Sequence, residues 1–440
     1  MIHDNYGVNS LGHLTVGGVD TVELAKEYKT PLYVVDEDKI RERCRVYLSA
    51  MKKHFGSDSL PFYASKALSC LGVYGIIKSE GLGVDIVSPG ELYTALSAGL
   101  DPRYMCFHGN NKTDEDIEYG LESGVGYFVS DSVEELTCLS RAALLCGKVQ
   151  DVLLRITPGI DPHTFKAVVT GNVDSKFGFP IKTGAAKKAV ELALSLPGIR
   201  LCGLHCHIGS QIFDPEPFVD AVRIMTAFMA DMKRDYGYTA EILNLGGGFG
   251  VRYTENSPDI DVASHIAIVA NELKACCKAH GLTLPRVFME PGRGIVASAG
   301  ITLYTAGTFK TIEGFRSYLS VDGGMPDNPR YALYNSEYTF YVANKMNAPL
   351  DTECTVCGRC CESGDLLGEG VIMQRAERGD IIAVTVTGAY NYSMASNYNR
   401  IPRPAMVFVS GGRHRLAVRR ESFEDLCKNE RLISCSYQEC

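Results

Sequence analysis

The stretch that decides the fold is Leu60-Pro61-Phe62-Tyr63-Ala64-Ser65-Lys66-Ala67-Leu68, an apolar run that leads into a lysine. Residues 60–64 have the length and composition of a buried strand, and residues 69–78 have helical spacing. Lys66 therefore lies where a strand passes into a helix. An ammonium in apolar surroundings is costly unless it is paired or neutral, and a neutral lysine can act as a base or bind a carbonyl group. The alternative is a lysine that extends from a loop into solvent.

The same alternation of strand and helix continues outward from this stretch to about residue 290. The predicted strands begin at Leu60, Gly83, Arg103, Gly126, Asp151, Ile199, Glu241 and Pro285. Amphipathic helical stretches such as residues 38–53, 132–146 and 217–234 accompany them. Eight such units could form a doubly wound sheet or a closed (β/α)8 barrel.

The pattern changes after Pro291, where strands follow one another with few helical stretches between them. The predicted strands are residues 301–312, 317–321, 380–386, 405–410 and 413–418. A short strand-like run, residues 31–36, precedes the barrel. We therefore expect an α/β protein with a barrel at residues 37–299. We also expect a second, β-rich domain, a β-barrel or sandwich, formed by residues 1–36 and 300–440.

Length and composition are typical of a globular protein of the cytoplasm. The chain has 440 residues, of which 45% are hydrophobic and 22% charged. A net charge of -8 gives no electrostatic reason to expect binding to nucleic acid or to an anionic membrane. No apolar run reaches membrane-spanning length, and the amino terminus lacks the features of a signal peptide. Without an export signal, 16 cysteines predict reduced thiols and a cytoplasmic location.

Four polar or glycine-rich clusters follow predicted strands. They are Lys66, residues 205–211, residues 246–250 and residues 290–293. In a barrel these strand ends open onto one face, where barrel enzymes keep their active sites. In a doubly wound sheet they would spread along an edge of more than about 30 Å, because strands are about 4.8 Å apart. A shared site therefore favours the barrel.

Each cluster has a simpler explanation when it is taken alone. The glycine run could bind an anion or form only a tight turn, and it lacks the spacing of a dinucleotide site. His205 and His207 share one face of a strand and could bind a metal, but no third ligand is obvious nearby. Glu290 would be a buried carboxylate, for which Arg293 is the nearest cation in the sequence.

Taken together, the clusters predict a site for pyridoxal phosphate. An amine, an anion-binding loop, a flat histidine ring and a carboxylate at one barrel mouth are the groups that this cofactor requires. The lysine forms a Schiff base with the cofactor aldehyde, and the glycine loop holds the phosphate. The carboxylate keeps the pyridine nitrogen protonated, so that the ring withdraws electrons.

The chain resembles the barrel-type pyridoxal-phosphate-dependent amino-acid decarboxylases, and within them most closely the members that act on diaminopimelate. The resemblance covers nearly the whole chain. Besides the clusters above, it rests on Tyr63-Ala64-Ser65-Lys66-Ala67, Ser175-Lys176-Phe177-Gly178, Cys361-Glu362-Ser363-Gly364-Asp365 and Gly388-Ala389-Tyr390. Thr157 and Phe165 depart from the family pattern, which more often has asparagine and histidine at these positions.

The resemblance implies a role for each site residue. Lys66 and Cys361 are the implied catalytic residues, and the cysteine is the proton donor. The implied cofactor-binding residues are Lys66, His207, Ser210, Gly246, Gly247, Gly248, Glu290, Gly292, Arg293 and Tyr390. The implied substrate-binding residues are Arg293, Arg330, Tyr334, Glu362 and Tyr390. In the family the loop with Cys361 and Glu362 enters the partner subunit's site, which implies a homodimer with shared active sites.

The implied activity is decarboxylation of meso-diaminopimelate to L-lysine, the last step of lysine biosynthesis. Arginine suits the distal carboxylate of that substrate because its planar fork binds carboxylate in a bidentate manner, and Glu362 suits the distal ammonium. The nearest alternative is a sister decarboxylase for ornithine, arginine or a carboxylated polyamine. Those substrates lack a distal carboxylate and do not need both Arg293 and Arg330.

Three further alternatives remain at this stage. A racemase of the same fold usually has an arginine at the pyridine nitrogen, where this chain has Glu290. A non-enzymatic cofactor-binding protein would need Lys66 but not Cys361. The run Cys354, Cys357, Cys360 and Cys361 has spacing that also suits zinc or an iron–sulfur cluster. We expect no metal, because Cys361 and the residues after it match the decarboxylase loop.

Overall fold

The computed structural model describes residues 1–160 and 174–433. It begins with a small antiparallel sheet, followed by a helix and a buried strand. These elements are β1 (Tyr6–Val8), β2 (Leu14–Val16), β3 (Val19–Asp20), α1 (Thr21–Tyr28) and β4 (Leu32–Asp36). Asp20 starts α1, because its side chain accepts hydrogen bonds from the backbone of Val22 and Glu23.

Helices and parallel strands alternate in the next part of the chain. In order they are α2 (Glu37–Phe55), β5 (Leu60–Ala64), α3 (Leu71–Glu80), β6 (Gly83–Ile86), α4 (Pro89–Ser97), β7 (Met105–Phe107), α5 (Asp114–Ser123), β8 (Tyr127–Ser130), α6 (Val133–Leu145), β9 (Gln150–Thr157), β10 (Phe179–Pro180), α7 (Ala185–Ser195), β11 (Ile199–His205), α8 (Glu216–Tyr236), β12 (Ile242–Asn244), α9 (Val262–Ala279), β13 (Arg286–Met289) and α10 (Arg293–Val296).

The strands of this part close into a barrel. The order around it is β5, β6, β7, β8, β9, β11, β12 and β13, and β13 pairs again with β5. The predicted barrel is therefore confirmed, and the doubly wound sheet is wrong. The strand predicted from Arg103 begins two residues later, because Asp101 caps a 3-10 turn over Pro102–Tyr104 that precedes β7.

Apolar side chains fill the barrel below the strand ends. A separate buried cluster contains Phe62, Cys106, Val129, Leu153, Cys202, Ile242 and Phe288. The rings of Phe62 and Phe288 lie 4.6 Å apart between centroids, across the pair of strands that closes the barrel. This packed interior leaves the carboxyl ends of the strands as the place for a cavity.

A second sheet follows the barrel. Its elements are β14 (Gly300–Ile312), β15 (Arg316–Val321), α11 (Arg330–Tyr334), β16 (Phe340–Val342), β17 (Thr352–Cys357), β18 (Leu366–Met373), β19 (Ile381–Val384), β20 (Ala405–Ser410), β21 (Arg413–Val418) and α12 (Phe423–Cys427). The sheet order is β18, β17, β15, β14, β4, β20 and β21, with β19 also paired to β14 and β16 paired to β19. The predicted β-rich part is confirmed, and β4 joins it from the N-terminal segment.

Three strands of this sheet, β16, β17 and β18, are absent from the sequence-based prediction. Glycines at Gly368 and Gly370 interrupt the apolar pattern of β18, and glycine weakens a strand signal. Among the residues that the structure describes, no helix is both apolar enough and long enough to cross a bilayer.

Candidate active site

Lys66 projects into a cavity at the carboxyl ends of the barrel strands. It occupies a single 3-10 turn, Ser65–Ala67, whose other residues are buried. Its own side chain is exposed to a cavity of about 620 Å³. The structure thus places Lys66 at the predicted junction of strand and helix. The surroundings combine the apolar side chains that the sequence suggested, among them Val87, Phe177 and Phe249, with charged and polar groups.

The cavity collects most of the residues that the sequence singles out. Its lining includes Lys66, His207, Ser210, Gly247, Gly248, Glu290, Gly292, Arg293, Arg330, Tyr334 and Tyr390. Three predicted site residues, Gly246, Cys361 and Glu362, are not part of this lining. One chain therefore brings the predicted lysine, glycines, carboxylate and arginines together, but it leaves the predicted proton donor outside.

Gly247 and Gly248 form a section of cavity wall that has no room for side chains. A β-carbon on Gly247 would lie 2.2 Å from the carbonyl oxygen of Glu290, and one on Gly248 would lie 2.3 Å from that of Gly209. Gly248 also has a φ of 114°, a conformation that favours glycine. Gly246 lies behind this wall, where a β-carbon would meet the carbonyl oxygen of Cys206 at 2.7 Å. Bare backbone of this kind lets an anion approach the main chain closely.

Glu290 forms the floor of the cavity, with three polar side chains close to its carboxylate. Its Oε1 lies 2.7 Å from His108 Nε2 and accepts a hydrogen bond of 2.6 Å from Asn244 Nδ2. Its Oε2 lies 3.2 Å from His205 Nε2. The expected pairing of Glu290 with Arg293 is wrong, because that guanidinium is turned to other partners.

The electrostatics of the floor favour an ionised Glu290. Burial opposes its ionisation, but His108 and His205 hold the pKa of its carboxyl well below the usual value. Burial lowers the pKa of His205 to about 4 despite Glu290, so this ring is neutral at pH 7. Burial also disfavours protonation of His108, but Asp85 and Glu290 raise its pKa above the ordinary value. Burial raises the pKa of Asp85 itself to about 7.

His207 presents an uncharged ring to the cavity. Its Nδ1 accepts a hydrogen bond of 3.2 Å from the backbone of Gly247, which ties the ring to the glycine wall. Burial, with Lys66 nearby, holds the pKa of His207 well below its ordinary value. A neutral, fixed imidazole beside Lys66 suits a role in stacking on a flat ligand.

Two guanidinium groups flank the ring of Tyr390. Arg293 and Arg330 have their central carbons 4.8 Å and 4.9 Å from the centroid of that ring. Arg293 donates to Ser210 Oγ at 3.3 Å and to the Tyr253 hydroxyl at 2.8 Å. Arg330 is 6% exposed, and its Nε has no hydrogen-bond partner among the described residues. These contacts leave both positive charges available to an anion in the cavity.

Tyr390 reaches the barrel through a tight connection from β19. Gly388 packs against α10, where a β-carbon would lie 1.9 Å from the carbonyl oxygen of Val296. Tyr390 has a φ of 69° and donates its backbone N–H to the carbonyl of Ala67 at 2.6 Å. The second sheet thus places the aromatic residue Tyr390 beside the turn that carries Lys66.

Cys361 and Glu362 lie on an exposed loop outside the cavity. The loop joins β17 to β18 and turns around the buried carboxylate of Asp365. That carboxylate accepts hydrogen bonds from the backbone of Cys360 at 2.7 Å and of Met325 at 2.6 Å. The backbone N–H of Cys361 donates to Asn399 Oδ1 at 2.7 Å. The loop is therefore fixed by its own contacts, and Cys361 and Glu362 do not line the Lys66 cavity of the same chain.

The group of residues that lies close enough together to bind a metal ion is not the one that the sequence singles out. Within residues 1–160 and 174–433, one group of three potential ligands is close enough for a metal ion, namely His108, His205 and Glu290. This group contains His205 but not His207, so it differs from the histidine pair that the sequence singles out. Cys354, Cys357, Cys360 and Cys361 do not form such a group, and every described cysteine is a free thiol.

Several cavity residues are missing from the sequence-based prediction. They are Asp85, Val87, His108, Asn110, Asn111, Arg155 and Phe177. The run His108-Gly109-Asn110-Asn111-Lys112 directly follows β7, so it is a fifth polar cluster at a strand end and could have been found by the same rule. Thr157, one of the two departures, donates to the carbonyl of Phe177 at 2.7 Å. Phe165 lies outside the described residues.

The fold and the cavity define a pyridoxal-dependent decarboxylase. Residues 37–297 match the model of the family described as "Pyridoxal-dependent decarboxylase, pyridoxal binding domain". This match spans the barrel and the wall, floor and lysine of the cavity, but it stops before the second sheet.

Full-length relatives narrow this class. The diaminopimelate decarboxylase of Bacillus methanolicus is 45% identical over 419 residues, which cover 95% of this chain and 97% of the relative. That of Bacillus subtilis is 43% identical over 427 residues, 97% of each chain. A crystal structure of diaminopimelate decarboxylase from M. jannaschii with L-lysine has a TM-score of 0.91 at 32% identity and covers 98% of both chains. The chain belongs to the diaminopimelate decarboxylase family.

The residues present fit pyridoxal phosphate, the cofactor of this class. The bare backbone of Gly247 and Gly248 lines the cavity together with Ser210, and a phosphate can approach such backbone closely. The amine of Lys66 stands in the same cavity, and the ionised Glu290 offers a counter-charge to a protonated pyridine nitrogen.

Proposed function

We propose that this enzyme removes the carboxylate from one end of meso-diaminopimelate and releases L-lysine and carbon dioxide. The observation that carries the choice of substrate is the state of Arg330. Its guanidinium is almost fully buried, lines the Lys66 cavity and has no carboxylate partner among the described residues. A buried cation without a counter-ion is unfavourable, so the cavity is built for a ligand that brings its own negative charge.

The distal carboxylate of diaminopimelate supplies that charge. Within the described part of the chain, the hydrogen-bond partner of Arg330 NH1 is the sulfur of Met394, at 3.9 Å, and the guanidinium also packs on the ring of Tyr334 at 4.9 Å. These contacts hold the guanidinium in place without using its strongest donors. Ornithine, which ends in an ammonium group alone, would leave the arginine unpaired.

Residues of the cavity floor and wall have separate roles at the end of the substrate that loses its carboxylate. Pyridoxal phosphate, when bound, supplies the electron sink that stabilises the carbanion left by carbon dioxide. Lys66 would supply the amine that holds the cofactor aldehyde. Gly247, Gly248 and Ser210 receive the phosphate, and Glu290 keeps a proton at the pyridine nitrogen. We propose that the imidazole ring of His207 stacks on the flat face of the cofactor.

The return of a proton to the α-carbon requires a second chain. Cys361 and Glu362 are our proposed proton donor and our proposed anchor for the distal ammonium. Both are exposed and lie outside the cavity of their own chain. The carboxylates that line this cavity, Asp85 and Glu290, belong to its floor. We therefore propose a homodimer in which each chain inserts this loop into its partner's cavity.

We propose the same division of the chain into two domains, and the strand pairing supports it. Residues 37–299 form the cofactor-binding barrel, and residues 1–36 with those from 300 onward form the domain that completes the site. In support, β4 lies between β14 and β20, so the N-terminal segment is part of the second sheet. The many free thiols favour a reducing compartment, and we propose the cytoplasm.

Arg330→Gln tests the choice of substrate. It should lower kcat/KM for lysine formation from meso-diaminopimelate by about 10- to 100-fold, because hydrogen bonds to a charged group contribute roughly 1.5–3 kcal/mol. Binding of pyridoxal phosphate should not change. The measurement follows lysine release from meso-diaminopimelate and carbon dioxide release from ornithine in parallel.

The control for this test is Arg378→Gln, which removes an exposed arginine and should leave both activities unchanged. A wild-type enzyme that prefers ornithine would contradict the proposed substrate. Equal losses on both compounds in Arg330→Gln would show that the arginine does not bind the distal carboxylate.

A further inference from the structure

The loop after β7 brings His108 to the floor of the cavity and is firmly anchored. Its last residue, Lys112, has a side chain that is only 1% exposed. Lys112 Nζ donates to Glu135 Oε1 at 2.9 Å and to the carbonyls of Val129 at 2.9 Å and Gly109 at 3.1 Å. This buried lysine fixes the loop to β8 and α6, so the backbone that carries His108 has a defined position.

His108 reaches Glu290 from across the barrel. Glu290 directly follows β13, and His108 directly follows β7, from which β13 is separated by β5 and β6 in the sheet order. Even so, His108 Nε2 lies 2.7 Å from Glu290 Oε1. The other side of the same carboxylate is held by His205, whose ring lies edge-on to that of His108 at 4.9 Å between centroids. Two histidines from different strand ends of the barrel thus contact one glutamate.

The two carboxylate oxygens of Glu290 differ in their surroundings. Each can accept about two hydrogen bonds. Oε1 accepts a hydrogen bond from Asn244 Nδ2 at 2.6 Å and is in ion-pair contact with His108 Nε2 at 2.7 Å. Oε2 faces His205 Nε2 at 3.2 Å. One acceptor position is therefore left on Oε2, which is where a protonated ring nitrogen of a ligand can donate.

We propose that His108 is a positioning residue for the cofactor, which acts through Glu290 and does not touch the ring itself. Through its close contact with Oε1, it holds the rotation of the carboxylate so that Oε2 keeps its free acceptor position toward the pyridine nitrogen. His108 Nε2 also lies between the carboxyl groups of Glu290 and Asp85, with Asp85 Oδ1 at 3.8 Å. Two buried carboxyl groups so close together disfavour each other's ionisation, and both raise the pKa of the histidine between them.

The proposed role of His108 rests on pyridoxal phosphate as the cofactor and affects ligand affinity in a specific way. Loss of His108 should weaken only those ligands that donate a hydrogen bond from the ring nitrogen. The 1-deaza analogue of pyridoxal phosphate, which has a C–H group in place of that nitrogen, makes no such bond. Its affinity should therefore not depend on His108.

The test compares the affinity of both compounds for the apoenzyme of the wild type and of His108→Gln, by fluorescence titration in the absence of substrate. The variant should bind pyridoxal phosphate about tenfold or more weakly, because a hydrogen bond between charged groups is lost or misdirected. Its affinity for the 1-deaza analogue should equal that of the wild type. His280→Gln, which replaces an exposed histidine, is the matched control and should behave as the wild type with both ligands.

Two results would overturn the inference. An equal loss of affinity for both ligands would mean that His108 only maintains the shape of the cavity. Unchanged affinity for pyridoxal phosphate would mean that Glu290 does not need it. His108→Asn, with a shorter donor, is measured in the same way if His108→Gln does not fold. Failure of the wild type to bind pyridoxal phosphate at all would overturn the cofactor assignment and this inference with it.

Discussion

At the scale of single residues, the two arginines of the cavity are held by contacts that do not neutralise their charges. Within the described part of the chain, neither Arg293 nor Arg330 pairs with a carboxylate, and both pack on the ring of Tyr390. Packing on an aromatic face stabilises a guanidinium by about 0.5–2 kcal/mol without occupying its donors. The arginines are therefore held ready for the anionic groups of cofactor and substrate.

Gly247→Ala tests the role of the bare cavity wall at the same scale. A β-carbon at this position would lie 2.2 Å from the carbonyl oxygen of Glu290, a backbone atom that has no freedom to move away. We expect weaker binding of pyridoxal phosphate by the apoenzyme and a lower melting temperature, because overpacking costs about 1–3 kcal/mol. Fluorescence titration and thermal unfolding measure the two effects.

Gly75→Ala is the matched control for that substitution. Gly75 lies within α3, and a β-carbon there would meet nothing within 4 Å. Alanine should stabilise the helix by up to about 1 kcal/mol and leave cofactor binding unchanged. Wild-type affinity in Gly247→Ala would contradict the view that the phosphate lies against this wall.

At the scale of elements, the loop that carries Cys361 depends on a neighbouring segment. Asn399, which accepts from the backbone of Cys361, belongs to a segment that Glu421 holds in place. The Glu421 carboxylate accepts from Asn397 Nδ2 at 2.6 Å and from Arg403 NH2 at 2.6 Å. Burial opposes its ionisation, but these donors lower the pKa of Glu421 to about 2.

Glu421→Gln should therefore destabilise the protein in a pH-dependent way. The folded-state pKa is below the ordinary value of 4.5, so the contribution is complete above pH 4.5 and is lost as the pH falls toward 2. By linkage, a pKa lowered from 4.5 to about 2 corresponds to about 3 kcal/mol of stability near pH 7. Urea unfolding between pH 7 and pH 3 should show the difference from wild type shrinking with pH. Glu313→Gln, at an exposed position, is the control, and a difference that stays constant with pH would contradict this account.

The barrel elements are predictable from the sequence because each strand is a short apolar run that ends in a polar or glycine residue. The ends at Lys66, His205 and Glu290 follow from this pattern alone. The role of His108 does not, because a histidine after a strand is common and its contact with Glu290 exists only when the barrel closes. Gly246 is a predicted site residue that does not line the cavity. Its neighbouring sequence does not distinguish it from Gly247 and Gly248, which do.

At the scale of the whole molecule, the site draws on both sheets of one chain and, in our proposal, on a second chain. The barrel supplies Lys66, the glycine wall and Glu290, and the second sheet supplies Arg330 and Tyr390. The loop with Cys361 lies outside this cavity. Sequence similarity identifies each motif, but only the closed fold shows which motifs share a cavity and which do not.

The most direct test of shared active sites combines two inactive variants. Lys66→Ala and Cys361→Ala are each expected to abolish or nearly abolish lysine formation from meso-diaminopimelate. When the two chains are co-expressed, random pairing in a symmetric dimer should restore about a quarter of the wild-type sites, because half of the dimers are mixed and each mixed dimer has one intact site. Lysine release by purified mixed enzyme is the measurement. Recovery near a quarter of wild-type activity is the predicted result, whereas a mixture as inactive as its parents, or turnover by Lys66→Ala alone, would contradict the account.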